Sequence, residues 1–223
     1  MCFSATASFT LSTVLVSTGL ISIFIAHKFN KNYLVMALMP IILGVQQALE
    51  GVIWLNSSSG HYLLVDFYTS LYLFFAFYFW PAYVPMSVYF TERQVVRKKI
   101  IIGFIIAGQA LGLILYLPLL LGLIPVSTDI IKHSIHYATY QSSTVLWIYS
   151  IAYISMLTIP FMLSSSLPIR VFGLMVLFSS LISYWLYLYV FTSMWCFFAA
   201  ILSIYIVYII IQSKSKRDAV CMQ

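Results

Sequence analysis

Long apolar runs separated by short polar connections cover almost the whole chain. Each run is about twenty residues long, the length a helix needs to cross the hydrocarbon core of a bilayer. Strands of a membrane barrel would instead alternate apolar and polar residues over about ten positions. The pattern therefore predicts an all-α membrane protein, a bundle of seven transmembrane helices with spans at about 7–27, 33–55, 63–90, 100–124, 145–164, 171–190 and 193–211.

Two regions of this pattern have unusual features. The run 171–211 contains no Gly or Pro after Gly173, and a single helix of that length would measure about 60 Å, twice the hydrocarbon thickness. We therefore divide it near Phe191–Ser193 into two helices joined by a tight turn. The third span contains Pro81 and Pro85. Proline removes a backbone donor, so this span is predicted to bend.

The distribution of charge predicts the orientation. Apolar residues make up 63% of the chain and charged residues only 7%, and the mean hydropathy is +1.02. The net charge of +6 comes from residues that flank apolar runs, which indicates topology and not a nucleic-acid partner. Ten of the 11 Lys and Arg residues fall on alternate connections or in the tail 213–223, the exception being Lys132. This predicts that the N-terminus lies outside and the C-terminus lies in the cytoplasm.

With this topology, most of the groups that could bind a metal or move a proton fall in the outer half. They are Glu50, Asp66, Asp129, His61, His133, His136, Cys2 and Cys196. The remaining two carboxylates, Glu92 and Asp218, lie among basic residues on the cytoplasmic side and are predicted to be solvated.

Glu50 is the most informative of these residues because it lies inside the second span. A charged residue there costs several kcal/mol unless it is paired, hydrated or protonated. Gln46, Glu50 and Trp54 are spaced four residues apart and Gln47 precedes Glu50 by three, so they form a polar stripe on one helix face. Such a stripe predicts either hydrogen bonds between helices or a site for a ligand, ion or proton.

Histidine and cysteine residues suggest a possible zinc or copper site. His133 and His136 would share one face if their loop were helical, and two histidines with a carboxylate can bind either metal. Removal of Met1 would leave an amine and a thiol on Cys2, which together chelate soft metals. Cys196 could supply a second thiolate, or could form a disulfide with Cys2.

Four segments resemble a bacterial family of membrane proteins of unknown function. They are MCFSATASF at 1–9, PIILGVQQALEGVIWL at 40–55, FWPAYVPMSV at 79–88 and SMWCFFAAILS at 193–203. The resemblance implies an inner-membrane protein of this size and implies no activity. Its motifs include Gln46, Gln47 and Glu50, and also Trp195 next to Cys196.

These features predict a protein that binds or transports a small solute, proton or metal ion through an outward-facing pocket. Glu50 would be the ionisable group of that pocket. One alternative is a membrane-embedded lipid hydrolase in which His133, His136 and a carboxylate hold zinc. A second alternative is an accessory or assembly subunit with no site of its own. A microbial rhodopsin is excluded because the span 193–211 has no lysine for a retinal Schiff base.

Overall fold

Helices form nearly all of the structure, which is a computed structural model describing residues 4–131, 134–139, 143–187 and 190–221. A 3₁₀ turn, Lys31–Tyr33, leads into α2, and a π-helix, Phe74–Phe79, joins α4 to α5. The α-helices are α1 Ala5–Phe29, α2 Leu34–Ala37, α3 Met39–Ser59, α4 Tyr62–Leu73, α5 Trp80–Thr91, α6 Val95–Leu120, α7 Ser143–Leu163, α8 Leu167–Tyr187, α9 Phe191–Ser203 and α10 Tyr205–Cys221.

Most of these helices suit a membrane by length and composition. Six helical segments in the described part of the chain are long and apolar enough to cross a bilayer: Ala5–Phe29, Lys31–Ser59, Tyr62–Thr91, Val95–Leu120, Leu167–Trp185 and Phe191–Ser213. Helix α7 contains a further apolar segment, Ile148–Leu163. Large apolar side chains such as Leu63 and Trp185 are more than four-fifths exposed. Lipid solvates such surfaces, so the fold is consistent with a multi-pass membrane protein.

The connection between α6 and α7 differs from the all-helical prediction. Strands β1, Val126–Ile131, and β2, Ser134–Thr139, form an antiparallel hairpin in which Asp129 pairs with His136. The hairpin lies at one end of the bundle, which we name the hairpin end. The opposite end, where Arg93, Arg97 and Arg170 lie, is named the basic end. The hairpin also shows that His136 lies on a strand, contrary to the helical arrangement considered for His133 and His136.

The run that follows Leu167 forms separate helices. Helix α8 ends at Tyr187 and α9 begins at Phe191, so the chain reverses direction between them. Helix α9 continues into α10 after Ile204. This reversal brings the first two turns of α9, including Ser193 and Cys196, to the hairpin end.

Close packing of α6 against α5 depends on a pair of glycines. Gly108 and Gly112 are one turn apart on α6, and both contact backbone of the neighbouring segment, at Pro81 and Tyr78 respectively. A Cβ atom at Gly108 would overlap the Pro81 carbonyl oxygen. Small residues at this spacing allow membrane helices to approach closely, and here they hold α6 against the π-helix and the start of α5.

Candidate functional site

A buried carboxyl group lies near the middle of α3. Glu50 is fully buried, and the Ser193 hydroxyl on α9 donates a hydrogen bond of 2.5 Å to its Oε1 atom. Ser193 is fully buried as well. Helix α9 can supply this hydroxyl because its first turn lies beside α3 after the reversal at Tyr187. The contact thus depends on tertiary structure, since 143 residues separate the two side chains.

Gln46, one turn from Glu50 on α3, connects three helices. Its Oε1 atom accepts a hydrogen bond of 2.7 Å from Trp80 Nε1 on α5, and its Nε2 atom donates to Cys196 Sγ on α9 at 3.3 Å. The amide is fully buried. We refer to Gln46, Glu50, Trp80, Ser193 and Cys196 as the polar cluster. Its bonds run between side chains, so each depends on the relative position of the helices.

The π-helix determines where Trp80 sits. The Trp80 backbone N–H bonds to the Phe75 carbonyl instead of the Ala76 carbonyl that an α-helix would use. The π-type donor for Ala76 would be Pro81, which has no N–H. The Tyr153 hydroxyl on α7 donates to the Ala76 carbonyl instead. This irregular turn therefore attaches α7 to α5 and directs Trp80 towards Gln46.

An apolar cavity lies between the polar cluster and the basic end. It has a volume of about 60 Å³, and the residues around it come from five helices: Met39, Leu43, Trp80, Val84, Tyr153, Leu157, Phe161, Phe172, Val176, Trp195, Cys196, Ala199 and Ser203. This volume has room for about two water molecules. Trp195 is only 4% exposed, and its Nε1 donor has no hydrogen-bond partner among the residues that the structure describes. The cavity thus reaches the sulfur of Cys196 and an unsatisfied donor next to it.

A family comparison covers the chain from end to end. A family of unknown function, DUF6629, matches residues 1–221. The chain belongs to this family. Comparisons with curated proteins and with solved structures give no match.

Most of the residues predicted to form the ligand or proton site lie near one another in the structure, but Asp66 lies apart from them. Gln47 is fully buried beside Gln46 on α3, and Trp54 packs against the buried group that contains Ile53 and Cys196. Asp66, in contrast, is exposed on α4. It lines a separate pocket of about 210 Å³ between α4, α6 and β1.

The predicted metal ligands do not form a described site. Cys2 and His133 lie outside the described residues, and Cys196 is a buried free thiol. His136 lies on β2 opposite Asp129. Within the described ranges no group of three or more His, Cys, Asp and Glu side chains could hold a metal ion.

A second buried carboxyl group, Glu92, was not expected from the sequence. Glu92 was predicted to be solvated, yet it is 3% exposed and lies between α5 and α6 at the basic end. Its Oε1 atom accepts hydrogen bonds from the backbone N–H groups of Arg93 (2.8 Å) and Gln94 (2.9 Å) and from the Ser165 hydroxyl (2.5 Å), and its Oε2 atom accepts from Ser165 N–H (2.7 Å). Burial alone would raise the pKa of Glu92, but the bonds from Gln94, Ser165 and Arg93 outweigh it and lower that pKa.

Glu92 therefore connects two turns at the basic end. Arg97 reinforces the connection, because its Nη1 atom donates to the Leu163 carbonyl at 2.9 Å. We refer to Glu92, Arg97 and Ser165 as the basic-end clasp. The sequence signal that could have revealed it is the position of Glu92 just before the start of α6, where a carboxylate is favoured by free backbone N–H groups.

Proposed function

We propose that this protein binds a proton or a small polar solute inside its helical bundle, at the polar cluster centred on Glu50. In this proposal the bundle crosses the bacterial inner membrane, and the hairpin end faces outside. The observation that carries the proposal is the complete burial of the Glu50 carboxyl group in a helix that is apolar enough to span a bilayer.

The physical basis is the cost of charge in a membrane interior. An ionised carboxylate in the hydrocarbon region costs several kcal/mol unless it is paired or hydrated. The protonation state of Glu50 therefore depends on what lies beside it. A proton, water or a polar solute that reaches the carboxyl group changes this balance, which couples occupancy of the site to proton uptake.

The neighbouring side chains are suited to such a role. The Ser193 hydroxyl can donate to an ionised Glu50 or accept from a protonated one, since a hydroxyl does both. Gln46 extends the hydrogen-bonded chain to Cys196 at the edge of the apolar cavity. The cavity is far below the roughly 300 Å³ of ordinary ligand pockets. A cavity of this size has room for water or a solute of a few atoms.

Infrared spectroscopy tests whether Glu50 exchanges a proton. Protein in lipid vesicles is titrated with acid, and the carbonyl stretch of protonated carboxylic acids is followed in difference spectra. We expect a band from a buried acid in the wild type that is missing in Glu50→Gln. The matched control is Asp129→Asn, which removes an exposed carboxylate at the same end and should leave that band unchanged.

A flux assay on the same vesicles tests the functional consequence. A pH-sensitive dye inside the vesicles reports proton entry under an imposed membrane potential, and Glu50→Gln should slow that entry relative to Asp129→Asn. If Glu50→Gln folds normally and matches the wild type in both the spectra and the flux, Glu50 serves only as a hydrogen-bonding contact between helices. That result would overturn the proposal in favour of an accessory or assembly subunit.

A further inference from the structure

We propose that the β1–β2 hairpin is a lid that closes the hairpin end of the bundle over the polar cluster. Access to Cys196 and Glu50 from that end then requires the hairpin to lift. The biological meaning of the lid rests on the proposed function, but its movement can be tested without any assumption about Glu50.

One side chain of the hairpin packs between α3, α4 and α9 at the hairpin end, a position that we name the mouth of the bundle. Ile135 on β2 is 1% exposed and belongs to a buried apolar group with members from α3, the α4–π-helix segment and α9: Ile53, Val65, Tyr72, Leu73, Ala76 and Cys196. Cys196 is itself bonded to Gln46 of the polar cluster. Ile135 thus belongs to the same buried group as Cys196, the sulfur-bearing member of the polar cluster.

Two further contacts hold the hairpin down. The Tyr137 ring stacks on Tyr72 with centroids 4.9 Å apart, and the hydroxyl groups of Thr128 and Thr69 form a hydrogen bond of 3.0 Å. A two-stranded hairpin is at best marginally stable by itself. Its position therefore depends on a few contacts, which a modest free energy can break and re-form.

The approach to the hairpin shows where it can separate from the helices. Gly122, just after α6, has a φ of +68°, a conformation in which glycine has no steric penalty. The pocket of about 210 Å³ lies directly beyond it, between β1 and helices α4 and α6, with Asp66, Ser70 and Tyr116 on its wall. The packing along this side is therefore incomplete and polar, while Ile135 holds the hairpin on the side facing α9.

The accessibility of the Cys196 thiol reports the position of the lid. In a Cys2→Ser, Cys221→Ser background, Cys196 is the remaining cysteine, and its reaction with a charged, membrane-impermeant maleimide is timed. Ile135→Ala removes the side chain that fills the mouth, and we expect labelling to become roughly tenfold faster or more. Ile130→Ala is the matched control, because Ile130 pairs with Ile135 across the hairpin but is 44% exposed.

A reversible lock provides a second test that does not depend on weakening the fold. Thr69→Cys with Thr128→Cys places two thiols where the two hydroxyls now meet, and oxidation should join the hairpin to α4. In the same background, labelling of Cys196 is distinguished from that of the two new thiols by mass spectrometry of the Cys196 peptide. It should slow by about tenfold or more after oxidation and recover after reduction. Labelling that is equal in Ile135→Ala and Ile130→Ala, or that does not respond to the lock, would overturn the lid.

The two proposals can fail separately. In one outcome, Cys196 labelling changes as expected in Ile135→Ala and in the oxidised lock, while Glu50→Gln leaves the infrared spectra and the proton flux unchanged. That combination supports the lid and refutes the proposed proton site. The reverse result would retain the site and show that it is reached by another route. Thermal unfolding of each labelled variant confirms that faster labelling does not come from global unfolding.

Discussion

Two buried glutamates, one at the basic end and one in the middle of α3, are stabilised in different ways. Glu92 accepts three of its four hydrogen bonds from backbone N–H groups, including those at the start of α6. Glu50 lies in the middle of α3, where backbone N–H groups are already used within the helix, and the Ser193 side chain donates a hydrogen bond to it. A helix start stabilises negative charge, whereas a helix middle does not.

This difference assigns the two residues different roles. Glu92 is suited to permanent ionisation and holds the 92–95 and 163–166 turns together. Glu50 has partners that tolerate either protonation state, which suits a group that exchanges a proton. Burial by itself is therefore a poor guide to function, because both residues are at most 3% exposed.

The largest expected effect is on stability at the basic end. Glu92→Ala should lower the free energy of unfolding by about 2–3 kcal/mol, because it removes the acceptor for a helix start and for Ser165. Glu50→Gln should cost less than about 1 kcal/mol, because the amide oxygen can still accept from Ser193. Unfolding by titration with SDS in mixed micelles measures both. A larger loss for Glu50→Gln would contradict the assigned roles.

A smaller effect should appear as a dependence of stability on pH. The pKa of Glu92 is lowered below its ordinary value of 4.5 in the folded protein. The stabilisation is therefore complete above that value and is lost as the pH falls through the lower folded-state pKa. Glu92→Gln should flatten this acid-side decline, while Asp66→Asn, which changes an exposed carboxylate, should leave it in place. Melting temperatures measured in detergent from pH 7 downwards test this expectation. If the melting temperature falls equally with decreasing pH in the wild type, Glu92→Gln and Asp66→Asn, Glu92 is not the source of the acid-side loss of stability.

The smallest expected effect concerns the polar cluster and compares two tryptophans. Trp80 donates to Gln46, whereas Trp195 Nε1 has no hydrogen-bond partner within the described part of the chain. Trp80→Phe should therefore destabilise the protein by about 1–2 kcal/mol more than Trp195→Phe, since the two changes remove the same volume and only one breaks a buried hydrogen bond. Unfolding in SDS again measures the difference. Equal decreases in the free energy of unfolding would show that the hydrogen bond from Trp80 to Gln46 does not stabilise the fold.

Several of these features could be predicted from the sequence, and others could not. Apolar runs reveal helices suited to a membrane, and the spacing of Gln46 and Glu50 shows that they share a face of α3. The same pattern says nothing about Ser193 or Trp80 as their partners, because those contacts join positions far apart in the chain. The burial of Glu92 was missed because its basic neighbours suggested solvent, and they do not reveal that the Ser165 turn covers it.

The hairpin was missed for a related reason. The segment 126–139 is short and mixed in polarity, a pattern that is typical of a loop, and its order comes from docking against α4 and α9. The Gly108–Gly112 pair was visible in the sequence but was not used, although this spacing is a known sign of close helix packing.

Helices that are long and apolar enough to cross a bilayer can be predicted from the sequence, and so can the position of a carboxyl group within one of them. These follow from local properties, namely the length of apolar runs and the helical repeat. The side chains that contact that carboxyl group, the burial of Glu92 beside a helix start and the segment that covers the hairpin end all depend on the tertiary structure. Those features depend on how helices cross and where turns dock, and many arrangements of the same apolar helices satisfy the bilayer equally well.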